Sequence, residues 1–348
     1  MAAAQRIYSS TGTDGIHAAL RLLPSRTAHV ITLFATALTK ASLFTLAQGM
    51  SLRANALDTF DRLRAHGIAT TQERDSPLKT METYTQQTPS STVVLGRGFL
   101  GSEFERHGYK VFGRDKFDHP CMYYENALAG YQTIINCIGI ADTRACEDPA
   151  KWEEVYHVNA NLPKRLSDYC HRYGKKLVHI STGCVYDKNN APQNEKSFTS
   201  SHCRYVVSKL AGEYACRPKD LILRPRLYFS DIPDKNNLLS KLPNFSHHLT
   251  EINSFTSTAT IVEATTALLN ADQCGIFNVA QSGYGTIQQI AQHLGMEAKP
   301  PMTGEQLQQS QGLALVNNIL DTSKLEQFYQ PRELFAEVYR CREWLKSA

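Results

Sequence analysis

A doubly wound α/β fold on a parallel sheet is what this 348-residue sequence predicts, and three observations carry the prediction. Short apolar runs recur from residue 92 onward: TVVLG, YKVFG, YQTIINCIG, KKLVHIST and LILRP. Stretches of helical pattern separate them, and apolar strands alternating with helices predict a parallel sheet covered on both faces. The first run ends in a glycine-rich turn, VVLGRGFLG, that leads into a helix. A small C-terminal substrate lobe, about 225–265 and 300–345, and an extra N-terminal helical domain complete the expected architecture.

The N-terminal domain is placed at 1–73. In LFTLAQGMSLRANALDTFDRLRAHGIATTQERD, Leu52, Ala56, Leu57, Phe60 and Leu63 fall at helical spacing after a short turn at Gly49 to Ser51. Helix, turn, longer helix and then HGI loosely resembles a winged helix-turn-helix. The preferred reading is a helical bundle that packs on the main domain or joins copies of the chain, since such pairs recur without DNA binding. Arg53, Arg62 and Arg64 lie on or near the second helix, but Asp58 and Asp61 dilute them. Nucleic acid is therefore not the expected partner. The apolar stretch HVITLFATALTKASLFTLA is interrupted by Lys40 and four threonines, so it reads as core helix and not as a membrane span. Arg6, Arg21 and Arg26 against the single acid Asp14 would also permit an organelle transit peptide. Residues 74–91, RDSPLKTMETYTQQTPSS, are polar and read as a linker to the dinucleotide-binding domain at 92–348.

Composition sets the class. A hydrophobic fraction of 42% and a charged fraction of 20% are those of a soluble globular protein, and a net charge of +4 is compatible with an anionic small-molecule ligand. The nine cysteines form no C-x-x-C pair. They read as free thiols in a reducing, cytoplasmic setting, and no metal is expected.

The glycine turn places Gly96, Gly98 and Gly101 in G-x-G-x-x-G spacing. Alone the spacing carries little, but here it sits between a strand and the helix FLGSEFERHG, the context that a Rossmann-type dinucleotide site requires. The chain must turn sharply, the backbone must approach the pyrophosphate, and the amides at the helix start, through Phe99 and Leu100, hold it. The second strand ends in FGRD. An acid there favours NAD and a base favours the extra phosphate of NADP. Arg114 precedes Asp115, and Arg97 stands in the glycine turn, so NADPH is the expected cofactor with NADH as the alternative. Either arginine could instead be a solvated surface charge.

The third strand, YQTIINCIG, follows so closely that one strand–helix unit is expected to be trimmed. DPAKWEEVYHVNANLPKRLSDYCHRYG then reads as a long helical stretch with a proline near its start. KKLVHIST is the next strand and ends at Thr182. RYVVSKLAGE places Tyr205 four positions before Lys209, on one side of a helix. With 16 tyrosines in the chain, the pairing alone could be two neighbours on an ordinary helix face.

Glycine turn, Ser/Thr at a later strand end and Tyr-x-x-x-Lys on a helix occur in the order that resembles the extended short-chain dehydrogenase/reductases, over roughly 92–345. HISTGCVYD, YVVSKLAGE, LILRPRLYF, GIFNVAQSG and NNILDTSKL resemble the dTDP-4-dehydrorhamnose reductase branch. TRACEDP, STGC and NLLSK resemble, more narrowly, the bifunctional nucleotide-rhamnose synthase/epimerase-reductases. The resemblance implies reduction of a sugar C4 ketone, coupled to epimerisation at C3 and C5, with a nucleotide-sugar substrate.

It also implies roles. Tyr205 gives a proton to the developing alkoxide. Lys209 lowers the phenol from its ordinary value near ~10 and holds the nicotinamide ribose. Thr182 aligns the ketone oxygen. Cys146 and Lys241 match the acid–base pair of the epimerisation. Free cysteines are often core residues and lysines often solvated, so both also admit a structural reading, and Cys137 and Cys184 read as packing residues. Arg224 and Arg226 are candidates for the substrate diphosphate, with a structural ion pair as the other reading. The rival function is a non-catalytic NAD(P)-binding regulator of the same fold, its N-terminal domain binding a partner or DNA. Regulators need not keep Thr182, Tyr205 and Lys209 together, as this chain does. The nucleotide and the oligomeric state are left open.

Overall fold

The computed structural model describes residues 89–113, 124–187, 191–200, 203–312 and 317–347. The expected N-terminal domain at 1–73, most of the linker at 74–91, Arg114 and Asp115 lie outside these residues.

Six strands form the central sheet: β1 (Thr92–Leu95), β2 (Lys110–Phe112), β3 (Thr133–Asn136), β4 (Lys176–Ile180), β5 (Leu221–Pro225) and β6 (Gly275–Val279). All pairings are parallel, in the order β2-β1-β3-β4-β5-β6. The order reverses between β1 and β3, which opens a crevice at their carboxyl ends. Among the described residues no strand lies outside β2, as the short link from the second to the third strand suggests. The helices, in chain order, are α1 (Phe99–Arg106), α2 (Tyr124–Leu128), α3 (Thr143–Glu147), α4 (Trp152–Tyr156), α5 (Leu162–Arg172), α6 (Arg204–Ala215), α7 (Leu238–Lys241), α8 (Thr258–Asn270), α9 (Ile287–His293), α10 (Gly304–Gln311) and α11 (Leu334–Ser347).

Successive strand residues point to opposite faces. Val94, Ile135, Val178, Leu221 and Phe277 face one way, against Phe104 of α1 and Ile261, Val262 and Leu268 of α8. Val93, Leu95, Ile134 and Leu177 face the other, against Leu162 and Leu166 of α5. With both faces covered, strands such as β1 are buried at every residue, which is why they read as continuous apolar runs. α1 stops at Arg106, and Gly108 beyond it takes the left-handed φ of 83°.

The expected long helix over the 148–174 stretch is instead a 3-10 turn (Pro149–Lys151), α4, a π turn (His157–Asn161) and α5. Pro163 explains the break: it has no N–H to give to the carbonyl of Asn159, so the helix widens there. That carbonyl faces Gly212 of α6. A Cβ on Gly212 would fall inside van der Waals contact with Asn159 O and 3.3 Å from Pro163 Cγ. The absent side chain lets α6 lie directly on the π turn.

The C-terminal lobe has its own core of Phe229, Leu239, Leu242, Phe255, Ile290, Leu334 and Val338. Its extent differs from the expectation in two places: α8 packs on the sheet, and α9 joins the lobe. Two-residue parallel ribbons link distant segments, among them Tyr228–Phe229 with Thr256–Ser257 and Pro192–Gln193 with Ile319–Leu320.

Candidate active site

β1 delivers the chain to Gly96, whose N–H donates to Phe112 O at 2.8 Å and whose φ of 103° suits only glycine. A side chain at Gly96 would meet Ile138 Cγ1 at 2.9 Å, so the turn lies flush against the loop after β3. That loop is itself pinned: Ile138 N–H donates to Asn136 Oδ1 at 3.1 Å, and Asn136 Nδ2 donates to His179 Nδ1 at 3.2 Å. Gly101 packs directly on the Gly96 carbonyl, whereas Gly98 has no atom within 4 Å of its Cβ position. The first bond of α1 is Ser102 N–H to Gly98 O at 2.8 Å, so the amides of Phe99, Leu100 and Gly101 precede the intrahelical ladder. This is an anion cradle open on the Gly98 side. Arg97 Nη2 donates to Val111 O at 3.1 Å and pairs with Glu105 at 3.1 Å. It thus stands beside β2, where an adenosine ribose is held in such folds.

The carboxyl end of β4 carries Ser181 and Thr182. Thr182 Oγ1 accepts Cys184 N–H at 3.2 Å and so starts the 3-10 turn Gly183–Val185. Near the start of α6, the Tyr205 phenol hydrogen-bonds Thr182. One turn on, Lys209 is buried and its Nζ donates to Ile180 O at 2.8 Å. Burial pulls the Lys209 pKa down to about 8, against the opposing pull of Glu213. Cys146, fully buried on α3, donates Sγ–H to Ile140 O at 3.6 Å. Burial, then the neighbouring Asp142, pushes its thiol up to about 12. Its field reaches both Tyr205 and Lys209.

The structure thus brings Thr182, Tyr205, Lys209 and Cys146 together. Lys241 is exposed at the C-terminal end of α7. Asn237 of the NLLSK stretch is buried as the cap of that helix, its Nδ2 donating to Ser230 O at 2.9 Å and Ile232 O at 2.7 Å.

Two expectations change. Lys209 was expected to acidify Tyr205, yet burial raises the phenol, and the nearby sulfurs of Cys184 and Cys146 add to this. The Thr182 hydrogen bond and the Arg226 charge oppose the rise. The Lys209 ammonium is turned to the Ile180 carbonyl instead. The phenol is thereby kept protonated, as a donor needs to be. Arg224 and Arg226, read as diphosphate candidates with a structural ion pair as the other reading, are buried in protein pairings, and Arg224 takes the ion pair. Arg224 clasps Glu213, with Nε to Oε1 at 3.0 Å, and donates Nη1 to Tyr186 OH at 2.8 Å. Arg226 Nη1 donates to Cys184 Sγ at 2.6 Å and Nη2 to Asn253 Oδ1 at 2.6 Å.

Sequence reasoning passed over several residues. Asn159, in the π turn, accepts Ile140 N–H at 2.8 Å and donates to Ile140 O and Ser208 Oγ, both at 2.9 Å, tying the Cys146 loop to α6. Ser181 donates to Glu213, which ties β4 to α6. Cys184 packs against the cluster of Val185, Tyr186, Val206 and Leu210, as expected, and its sulfur also accepts from Arg226. Tyr228 brings a second phenol, raised by burial and by Tyr205. Pro163 in NANLP was the one available signal for Asn159. From the lobe, Asn318 Nδ2 donates to Gly183 O at 3.0 Å and closes the turn from behind. Among the described residues no helix is long and apolar enough to cross a membrane, and no group of three His, Cys, Asp or Glu could hold a metal ion.

Residues 125–312 match the family model described as RmlD substrate binding domain. The protein L780 of Acanthamoeba polyphaga mimivirus is 26% identical over 192 residues, 50% of this chain and 66% of the relative. The dTDP-4-dehydrorhamnose reductase of Mycobacterium tuberculosis (strain H37Rv) is 34% identical over 96 residues, 26% of this chain and 31% of the relative. The chain therefore spans less than two thirds of the length of these curated relatives. The solved structure of the mimivirus L780 UDP-rhamnose synthase superposes with a TM-score of 0.66 at 18% identity, covering 73% of this chain and 99% of that one. The dTDP-4-dehydrorhamnose reductase of Bacillus anthracis in complex with NADP gives 0.63 at 18% identity, covering 74% and 99%.

Proposed function

The chain belongs to the family described as RmlD substrate binding domain, and from that premise we propose that it reduces a nucleotide-linked 4-keto-6-deoxyhexose with NADPH, NADH being the alternative reductant. The reduction is coupled to 3,5-epimerisation and yields an L-rhamnose nucleotide, dTDP- or UDP-linked. The observation that carries this reading is the meeting of Thr182, Tyr205 and Lys209 at the carboxyl end of β4, beside the switch in strand order. The names of the relatives, a UDP-rhamnose synthase and a dTDP-4-dehydrorhamnose reductase, support it.

The glycine turn fits a dinucleotide: Gly98 is open, and the amides of Phe99, Leu100 and Gly101 face a position for its phosphates. Arg97 beside β2 suits the extra phosphate of NADPH, as does the NADP in the Bacillus relative. When bound, the reduced dinucleotide supplies the hydride. Thr182 and Tyr205 hold the ketone oxygen between two hydroxyls. Tyr205 passes its proton to that oxygen as negative charge develops on it, and Arg226 offsets the charge left on the phenolate. Lys209, whose Nζ donates to Ile180 O, is assigned to the nicotinamide ribose by resemblance. Cys146 and Lys241 are proposed for the epimerisation by resemblance. The partner is then a nucleotide sugar, and the eight cysteines among the described residues, all free, support a cytoplasmic setting. Self-association through the N-terminal domain is compatible with this reading.

NADPH oxidation with dTDP- and UDP-4-keto-6-deoxyglucose tests it. Wild-type protein should turn over at least one of them, and Tyr205→Phe should lose about 10²–10⁴-fold. Retained NADPH binding without turnover of either sugar would favour the regulatory reading.

A further inference from the structure

We propose that Glu147 is a positioning residue for the reduction: it holds the head of α6 and thereby sets where Tyr205 stands. This rests on the reductase reading above. Glu147 Oε1 accepts the Arg204 N–H at 2.7 Å. Arg204 opens α6 and Tyr205 follows it. A helix head leaves its first amides without partners, and a side-chain oxygen of the preceding residue usually serves one of them. Here the preceding residue is Cys203, which makes no cap bond through its side chain. The oxygen comes instead from the end of α3, 57 positions earlier in the chain.

A second bond runs the other way, with Arg204 Nη1 donating to Glu147 O at 3.3 Å. The same guanidinium lies over Trp152 of α4, 5.8 Å from the ring centre. α3 is anchored at its own start, where Asp142 accepts Arg144 N–H at 2.9 Å and Ala145 N–H at 3.3 Å. The hold on α6 therefore comes from an element that is itself fixed.

Further along α6, Asn159 Nδ2 donates to Ser208 Oγ at 2.9 Å and the Asn159 carbonyl abuts Gly212. With the Glu147 bond removed, the helix can pivot about this seat. Lys209 is at the pivot, and its Nζ keeps the bond to Ile180 O. Tyr205 lies three residues nearer the freed end, about 4.5 Å along the axis, so a tilt of about 10° moves it by about 1 Å. Such a shift can cost about 10²-fold in rate. Proton delivery by Tyr205 then suffers, while the nicotinamide ribose contact assigned to Lys209 does not.

The test follows NADPH oxidation by the full-length chain with a 4-keto-6-deoxyhexose nucleotide that the wild type reduces, each variant being checked for folding by thermal melting. Glu147→Ala should lower kcat by about 10–10²-fold and leave KM for NADPH within about twofold. Glu147→Gln keeps an acceptor oxygen at the same reach and should return kcat to within about threefold of the wild type. Arg204→Pro removes the same bond from the other side. Proline suits the first position of a helix, and Cys203 before it is already extended at φ −153° and ψ 162°. It should match Glu147→Ala, and the double variant should lose no more than either. If Glu147→Ala does not fold, Arg204→Pro carries the comparison. A folded Glu147→Ala with wild-type kcat overturns the inference and leaves the reductase reading standing. A KM for NADPH that rises in step with the loss of kcat, or a glutamine variant as slow as alanine, also overturns it, because general loosening or charge alone would then be at work. Absence of NADPH oxidation by the wild type would remove the reductase reading itself, and this inference with it.

Discussion

Gly212→Ala probes how the π turn positions the reactive groups. The added methyl would fall within van der Waals contact of the Asn159 carbonyl oxygen, 3.3 Å from Pro163 Cγ and 3.4 Å from Asn159 C. Two of these are backbone atoms that cannot swing aside, so α6 must lift away by about 1 Å. Overpacking of this kind costs about 1–3 kcal/mol. Alanine recovers about 1 kcal/mol of helix propensity over glycine. The net loss is about 0–2 kcal/mol, or at most about 8 °C in Tm for a unit of this size. The kinetic effect should be larger, because α6 carries Tyr205 and Lys209 while Thr182 stays in the turn after β4. A misplacement near 1 Å can cost about 10²-fold in rate. Thermal melting and NADPH oxidation with the keto-sugar nucleotide read the two effects separately. Gly130→Ala is the control, since nothing lies within 4 Å of its Cβ position, and it should change stability by less than about 0.5 kcal/mol. If Gly212→Ala melts with the wild type and reduces within about threefold of its rate, a close seat of α6 on the π turn is not what sets the geometry.

Other consequences are open to measurement. Lys209 titrates near 8 in the folded protein against 10.5 for a free lysine, and burial keeps Tyr205 protonated through that range. kcat/KM should therefore fall as pH rises through about 8, and Lys209→Arg should show no such limb in its residual activity between about pH 7 and 10. The same lysine binds fewer protons folded than unfolded, so its contribution to stability improves as pH rises from about 8 towards 10.5; a Tm that drops over that interval in wild type but not in Lys209→Met would contradict the assignment. Glu213→Ala leaves the Arg224 guanidinium buried without its partner and should cost about 3–5 kcal/mol in urea unfolding. Removing the exposed Lys164–Asp168 pair should cost under about 1 kcal/mol, and equal losses would mean that burial is not what makes the first pair matter.

What the sequence discloses follows from how local each requirement is. Gly96 is legible because a left-handed turn against Ile138 tolerates no side chain, and that demand sits within one short stretch. Tyr205 and Lys209 are legible because helical spacing alone puts them on one side. Spacing does not say which way an ammonium points, so the turn of Lys209 towards Ile180 could not be read. Asn159 was hidden in an apparently regular helix, because its role depends on where Pro163 breaks the ladder and on which glycine of a later helix faces the break. Arg224 needs Glu213, Tyr186 and a strand to explain it, and no pattern within either segment signals that pairing. The same holds for α8, whose apolar residues suit a sheet as well as a lobe.

The ribbon that joins Pro192–Gln193 to Ile319–Leu320 dictates a timetable. Asn318 and Leu320, which brace the carbonyl and the backbone of Gly183, come from the far end of the chain. During synthesis the Rossmann strands can assemble first, but the turn that presents Thr182 has no support until those late residues emerge. Contacts so distant in sequence close slowly. A nascent chain stalled before residue 318 would hold every acid and base of the site and still lack the brace that sets their spacing, so chemical competence waits until residues 318–320 have emerged.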